Sequence, residues 1–228
     1  MHQSIGKKNK FILYILLLIF LSTINNKFVF ESSDNLLSIR EINVKGLNIE
    51  EQKILDKKLN YLLNQNIFFI DKSLIEKNIN DINFIDHAEV KKIYPSSLLI
   101  ITKKAQIIAT TIKDNTGYLI GSNGKFILDT NYNKKEDLPI IFGDFKILDF
   151  LNLNSHLINQ GFNPEKFKKF YYYKNKRWDI QIDKNLLVKL PREKISEAIK
   201  KLKIILESME NSKYKVVDLR VPNQIILN

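Results

Sequence analysis

The run FIDHAEVKKIYPSSLLIITKKAQIIA, from Phe84 to Ala109, constrains this chain more than any other stretch. Ala88, Val90 and Ile93 lead into Tyr94-Pro95-Ser96-Ser97, and Leu98 to Thr102 follows with β-branched residues in alternation. Proline fixes φ at about −65° and has no amide proton, so Pro95 belongs in a connection and its flanks read as two strands. A hairpin of this kind fits many α+β domains. The elements before and after it decide which.

Before it, Ser38 to Val44 alternates, with Ile42 and Val44 on one face and Gly46 as its stop: a strand. Ile49 to Leu63 has helical spacing, with Ile54, Leu55, Leu59, Leu62 and Leu63 on one side and Glu50, Glu51, Lys53, Lys57 and Lys58 opposite. The acidic pair falls in the first turn, where the helix dipole favours it. Asp71 or Ser73 caps a second helix whose buried stripe is Leu74, Ile75, Ile79 and Ile82. With the hairpin, the order is β-α-α-β-β.

Further upstream, Phe11 to Ile24 is an apolar run behind Lys7, Lys8 and Lys10. It is shorter than the ~17–25 residues of a usual span, so a signal-peptide core is one reading. No A-x-A-like cleavage site follows, and Phe28-Val29-Phe30 can extend the run if Lys27 snorkels, which favours an uncleaved transmembrane anchor over residues 11–30. The lysines keep residues 1–10 cytoplasmic, and the bulk of the chain crosses the membrane. A short link, 31–35, comes next.

Beyond the hairpin, Gly117 to Asp129 reads as two strands around Ser122-Asn123-Gly124, since Asn-Gly tolerates the positive φ of tight hairpins. Phe145 to Gln160 is helical, with Ile147, Phe150, Leu151, Leu157 and Ile158 as its buried side and Gly161 as its stop. Asn163-Pro164-Glu165 can start a further helical turn, while Phe167 to Tyr173 and Trp178 to Ile182 form a strand hairpin. Arg192 to Asn211 is the clearest amphipathic helix, with Ile195, Ile199, Leu202, Leu206 and Met209 on one face. Tyr214 to Leu219 and Asn223 to Leu227 are the last strands.

A strand ending Val44-Lys45-Gly46 within a β-α-α-β-β order resembles a POTRA domain. The steps Ala88-x-Val90, Pro95-x-x-Leu98-x-Ile100 and Lys103 to Ala109 resemble the A-x-V, P-x-x-L-x-I and E-R-x-P-x-A pattern of the FtsQ/DivIB cell-division family. Here Lys103-Lys104 stands for the Glu-Arg pair and Gln106 for the proline. Leu119-Ile120-Gly121 through Gly124 to Phe126, Leu138-Pro139 with Gly143, Arg177-Trp178-Asp179-Ile180, Val188-Lys189-Leu190 and Asp218-Leu219-Arg220-Val221-Pro222 continue the resemblance in order. It covers roughly residues 36 to 228 and is closer to FtsQ than to DivIB.

The expected fold class is therefore α+β: an N-terminal transmembrane helix, a POTRA domain at 36–105, and a mostly antiparallel β domain at 106–228 carrying a long amphipathic helix. The resemblance implies a single-pass type II inner-membrane protein of the division septum, with its bulk periplasmic. It further implies a non-enzymatic scaffold that recruits FtsL and FtsB type proteins and other septal proteins, and so helps to control septal wall synthesis. A POTRA protein of outer-membrane assembly or secretion is the alternative. It calls for repeated POTRA units or a long alternating barrel, and the sequence shows neither.

The residues offer little chemistry. With no cysteine there is no disulfide, thiol nucleophile or Cys-ligated zinc. The histidines, His2, His87 and His156, are scattered and lack a nucleophile setting such as G-x-S-x-G. No catalytic, cofactor or metal residue and no small-molecule substrate is expected. The net charge of +11 comes from lysines spread along the chain, consistent with an AT-rich genome as much as with an acidic partner. Aromatics at 167–173 between lysines look like a nucleic-acid stacking platform, but alternation on a strand favours a core, and no nucleic-acid partner is expected.

Asp218 and Arg220, two apart on a strand, share a face. Asn223 to Leu227 reads as an edge strand, and such an edge is either protected or recruits another chain by strand addition. The resemblance implies recruitment, at Arg220, Val221, Pro222, Gln224, Ile225, Ile226 and Leu227.

Overall fold

The computed structural model describes residues 7–24, 37–129, 138–183, 186–208, 214–221 and 224–228. The chain divides into two compact units, Met1–Asp81 with His87–Lys103, and Ile82–Asp86 with Lys104–Asn228. Helix α1 spans Lys7–Ile24, and every residue from Phe11 to Leu21 exposes a large apolar side chain. Among the described residues no helix is long and apolar enough to cross a membrane. The expected span over 11–30 thus meets a helix that starts in three lysines, and its residues 25–30 lie outside the described residues.

The rest of the first unit has the expected order: β1 (Glu41–Lys45), α2 (Ile49–Leu59), α3 (Lys72–Asn80), β2 (Ile85–Ile93) and β3 (Ser97–Lys104). The sheet order is β1-β3-β2, with β1 parallel to β3 and Ile42 and Val44 opposite Leu98 and Ile100. Strand β1 starts later than expected, because Ser38 makes an isolated bridge to Asn66 while Ile39 drops into the core. Asn48 and Glu51 form a capping box that satisfies two backbone amides at the start of α2. That helix gives way to a 3-10 turn at Asn60–Leu62, so Leu55, Leu59 and Leu62 are buried while Ile54 faces out. Asp71, not Ser73, caps α3, accepting from the amides of Ser73 and Leu74; the stripe narrows to Ile75 and Ile79, and Leu74 is exposed.

The second unit is built on a nine-stranded sheet. Its strands are β4 (Ile107–Lys113), β5 (Thr116–Gly121), β6 (Phe126–Leu128), β7 (Ile140–Phe142), β8 (Phe167–Tyr172), β9 (Trp178–Ile182), β10 (Leu186–Lys189), β11 (Val216–Asp218) and β12 (Ile226–Leu227). Their order is β12-β11-β10-β9-β8-β7-β4-β5-β6. Helices α4 (Ile147–Asn159) and α5 (Ile195–Ser208) join β7 to β8 and β10 to β11.

Each of those helices makes a crossover, and a strand that returns after a crossover can lie parallel to the first. Accordingly β7–β8 and β10–β11 are parallel, as is β4–β7. The sheet is mostly antiparallel, as expected, with these three parallel pairs set among antiparallel ones. Both helices pack into one core, where Phe150, Leu153, Leu157, Ala198, Ile199, Leu202 and Ile205 meet Phe170, Trp178, Ile180, Val188 and Val217. The α4 face is rotated from the expected one, since Leu153 is buried and Ile158 exposed. On α5, Ala198 and Ile205 join Ile199 and Leu202, and Met209 lies outside the described residues.

Candidate interface at the C-terminal sheet edge

Strand β12 is the outermost strand at one end of the large sheet, antiparallel to β11, with Leu227 opposite Val217 and Ile226 opposite Asp218. The Asn228 amide donates to the Val216 carbonyl at 3.1 Å, and the Val216 amide donates to the Asn228 carbonyl at 2.9 Å. In an antiparallel ladder, alternate residues turn their backbone groups to opposite sides. The peptide groups of Leu227 therefore face away from β11.

The expected site residues fall in two groups. Ile225 and Ile226 expose their side chains along the edge, with Leu227 half-buried between the strands. Arg220, Val221 and Gln224 gather beside the start of α5, where the Gln224 amide donates to the Val221 carbonyl at 3.2 Å. Pro222 lies outside the described residues. This second group lines a groove of about 380 Å³ together with Arg192, Lys194, Glu197, Lys201 and Leu219.

Asp218 and Arg220 make more than a side-by-side pair. The Arg220 Nε donates to both carboxylate oxygens at 2.8 and 2.9 Å, and its backbone amide donates to Oδ1 at 3.0 Å. Asp218 is buried and Arg220 stays 41% exposed. The arginine's hydrogen bond holds the Asp218 carboxyl below the usual carboxylate range, against the opposing effect of burial. A carboxyl whose pKa is lowered by folding stabilises the fold above its unfolded pKa of ~3.9, and that contribution fades as pH falls through the folded value. Asp218→Asn should cost about 1 kcal/mol at neutral pH, kept small by the exposed guanidinium. Urea titrations at stepped pH should show the gap to wild type closing below pH ~4; a gap constant across that range would refute it.

The registers extend this pair into a row that the sequence did not reveal. Asp218 lies opposite Lys189, Lys189 opposite Asp179, Asp179 opposite Tyr171, and Tyr171 opposite Phe142. Arg177 Nε donates to Asp179 at 3.2 Å, and its guanidinium sits 4.7 Å from the Tyr173 ring centre. Burial and the neighbouring Asp179 carboxylate both push the Tyr173 hydroxyl's pKa up. Charges of alternating sign thus cross the sheet face opposite the helices. The trace in the sequence is the charged residue inside each strand motif, Arg177 and Asp179 around the tryptophan and Lys189 between Val188 and Leu190.

The aromatic run 167–173 divides between the two faces of the sheet, with Phe167, Phe170 and Tyr172 on the core side and Tyr171 on the other. Phe167 and Phe170 are buried, Tyr171 stacks on Phe142 at 5.4 Å, and the Tyr172 hydroxyl donates to Asp149 at 3.1 Å. His87 lies on β2 and His156 on α4, and among the described residues no group of three histidines or carboxylates could hold a metal.

Comparison with known proteins agrees with this architecture. The family model "Cell division protein FtsQ/DivIB, C-terminal" matches residues 109–220, and "POTRA domain, FtsQ-type" matches residues 37–103. Cell division protein FtsQ of Rhizobium radiobacter is 22% identical over 157 residues, 68% of this chain and 75% of that protein. FtsQ of Agrobacterium fabrum is also 22% identical over 157 residues, which is 50% of its length. FtsQ of Rickettsia bellii is 25% identical over 185 residues, 78% of this chain and 66% of that protein. With both of its folded units matched in order, the chain belongs to the FtsQ/DivIB family of cell division proteins.

Proposed function

We propose that the chain is a non-enzymatic scaffold of the division septum, which recruits FtsL and FtsB type proteins by strand addition at β12 and thereby helps to control septal wall synthesis. The observation that carries this reading is the place of β12 at the end of the large sheet, with the peptide groups of Leu227 turned outward and Ile225 exposed just before it. A partner strand pairing there gains main-chain hydrogen bonds, and alternate side chains supply the selectivity. In the groove Arg192, Lys194, Lys201 and Arg220 outnumber Glu193 and Glu197, which leaves positive charge beside the edge, suited to an acidic flank on the partner.

The same reading makes α1 the core of a single-pass anchor, N-terminus cytoplasmic and bulk periplasmic. Its support is a helix apolar on all sides from Phe11 to Leu21, behind lysines at its start. The test of the edge is capture of FtsL–FtsB by the full chain in detergent, wild type against Ile225→Pro. Ile225 precedes the ladder to β11, so proline there removes an amide that a partner strand would use and no register bond to β11; capture should fall at least about tenfold, or ~1.4 kcal/mol, while Trp178 fluorescence reports an unchanged fold. Equal capture by both proteins, or none by the wild type, would sink the proposal.

A further inference from the structure

We infer that the end of the first unit from which the chain leads back to α1 is a lipid-facing surface, with Phe68, Phe69 and Tyr94 seated in the interfacial zone of the bilayer. The inference rests on the proposed insertion of α1.

Three segments meet at that end. The Ile67 amide donates to the Leu37 carbonyl and the Ile39 amide to the Gln65 carbonyl, each at 2.9 Å. The Arg40 amide donates to the Ser96 carbonyl at 2.8 Å, and the Lys92 ammonium donates to the Phe68 carbonyl at 3.1 Å. Across these bonds the rings of Phe68 and Tyr94 stack with centres 5.0 Å apart. The start of the unit, the loop 66–69 and the turn 94–97 are thus one surface.

Packing within the unit does not account for the aromatics there. In the apolar run Ile67-Phe68-Phe69-Ile70, the two isoleucines are buried, whereas Phe68 is 54% and Phe69 78% exposed. Tyr94 is 55% exposed, and Ile93 beside it faces out as well. Fully burying a phenylalanine is worth ~1.5–3 kcal/mol, so two of them left in water beside a tyrosine mark a surface that something covers.

The tether says what covers it. Residues 25–36 join α1 to Leu37, and twelve residues reach at most about 43 Å when fully extended. The chain comes back from α1 beside the aromatic group, so this end is nearest along the chain to the bilayer. Aromatic rings with a polar rim of Tyr94 hydroxyl and Lys92 ammonium have the composition of the interfacial belt, where amphipathic rings sit at headgroup level.

The sequence has no cysteine, so Phe69→Cys and Ile49→Cys each take a single nitroxide label. Ile49 is 75% exposed in the same unit, but β1 separates it from the aromatic end. The full chain is reconstituted in vesicles of equal parts phosphatidylethanolamine and phosphatidylglycerol. The label at 69 should lose collisions with an aqueous nickel chelate and gain collisions with oxygen, while the label at 49 stays aqueous. Adding Phe68→Ser and Tyr94→Ser should return the label at 69 to water. If the chain does not float with the vesicles, the anchor reading fails and the inference falls with it. If it floats and both labels are equally aqueous, the anchor stands and the inference is overturned. Spin–spin broadening at 69 would show a second copy on this surface and would equally overturn it.

Discussion

Gly143→Ala should destabilise the second unit by about 3 kcal/mol or more, with the loss seen as an earlier urea midpoint in the fluorescence of Trp178. Gly143 follows β7 with φ +103°, where a side chain is strained whatever the space around it. Space is also lacking: a Cβ would lie 2.1 Å from the Tyr172 carbonyl oxygen, far inside van der Waals contact. The atom that would have to yield belongs to the backbone at the end of β8, which is paired with β7 on one side and β9 on the other. Relief therefore means prising apart the middle of the sheet. Trp178 is the one tryptophan in the sequence and lies in this core against Phe145, Phe150 and Phe170, so its emission reports the unit directly. A midpoint shift equivalent to less than ~0.5 kcal/mol, the range of an ordinary surface substitution, would refute the account.

Gly46→Ala should do comparable damage to the first unit. Gly46 ends β1 with φ +97°, and a Cβ there would meet the Thr102 carbonyl oxygen at 2.0 Å. Thr102 cannot back away freely, since its hydroxyl donates to the Lys45 carbonyl at 2.8 Å across the same junction. The expected cost is again about 3 kcal/mol, combining positive-φ strain with backbone overlap. Hydrogen exchange locates it: amides of β1 and β3 should exchange much faster in the variant. Unchanged protection along Glu41–Lys45 and Ser97–Lys104 would show that the junction tolerates the methyl group.

Both glycines stand inside the short motifs that carried the family resemblance, Val44-Lys45-Gly46 and Leu138-Pro139 with Gly143. The structure explains why such motifs are informative: each marks a point where two backbones come so close that no Cβ fits. The helix faces were less legible. On α4 and α5 further apolar residues, such as Leu151 and Ile158 or Ile204 and Leu206, border the buried stripe, so periodicity alone does not separate Leu153 from Ile158, or Ile205 from Leu206. The burial of each is set by which strand lies underneath.

The charged row across the outer sheet face was hidden for a related reason. Asp218, Lys189, Asp179 and Arg177 lie in separate strand motifs, and only their registers bring them side by side. Within the expected binding stretch, the sequence placed Ile225 to Leu227 on a last strand, and the tertiary structure divided the stretch in two. Arg220, Val221 and Gln224 turn to the groove beside α5, whereas Ile225 to Leu227 run along the edge.

By itself the sequence determined the local elements: the β-α-α-β-β order, the hairpins at Pro95 and Asn123-Gly124, a helix cap at Asp71 or Ser73, and the strand at the C-terminal edge. Those follow from φ restrictions, side-chain periodicity and capping, all of which act within a few residues. Only the tertiary structure decided that β7–β8 and β10–β11 run parallel and that β12 ends a nine-stranded sheet. A helix between two strands permits a parallel return but does not name the neighbour. The neighbour is fixed when both helices bury their apolar faces on one side of one sheet, a choice made by the whole core rather than by any stretch of chain.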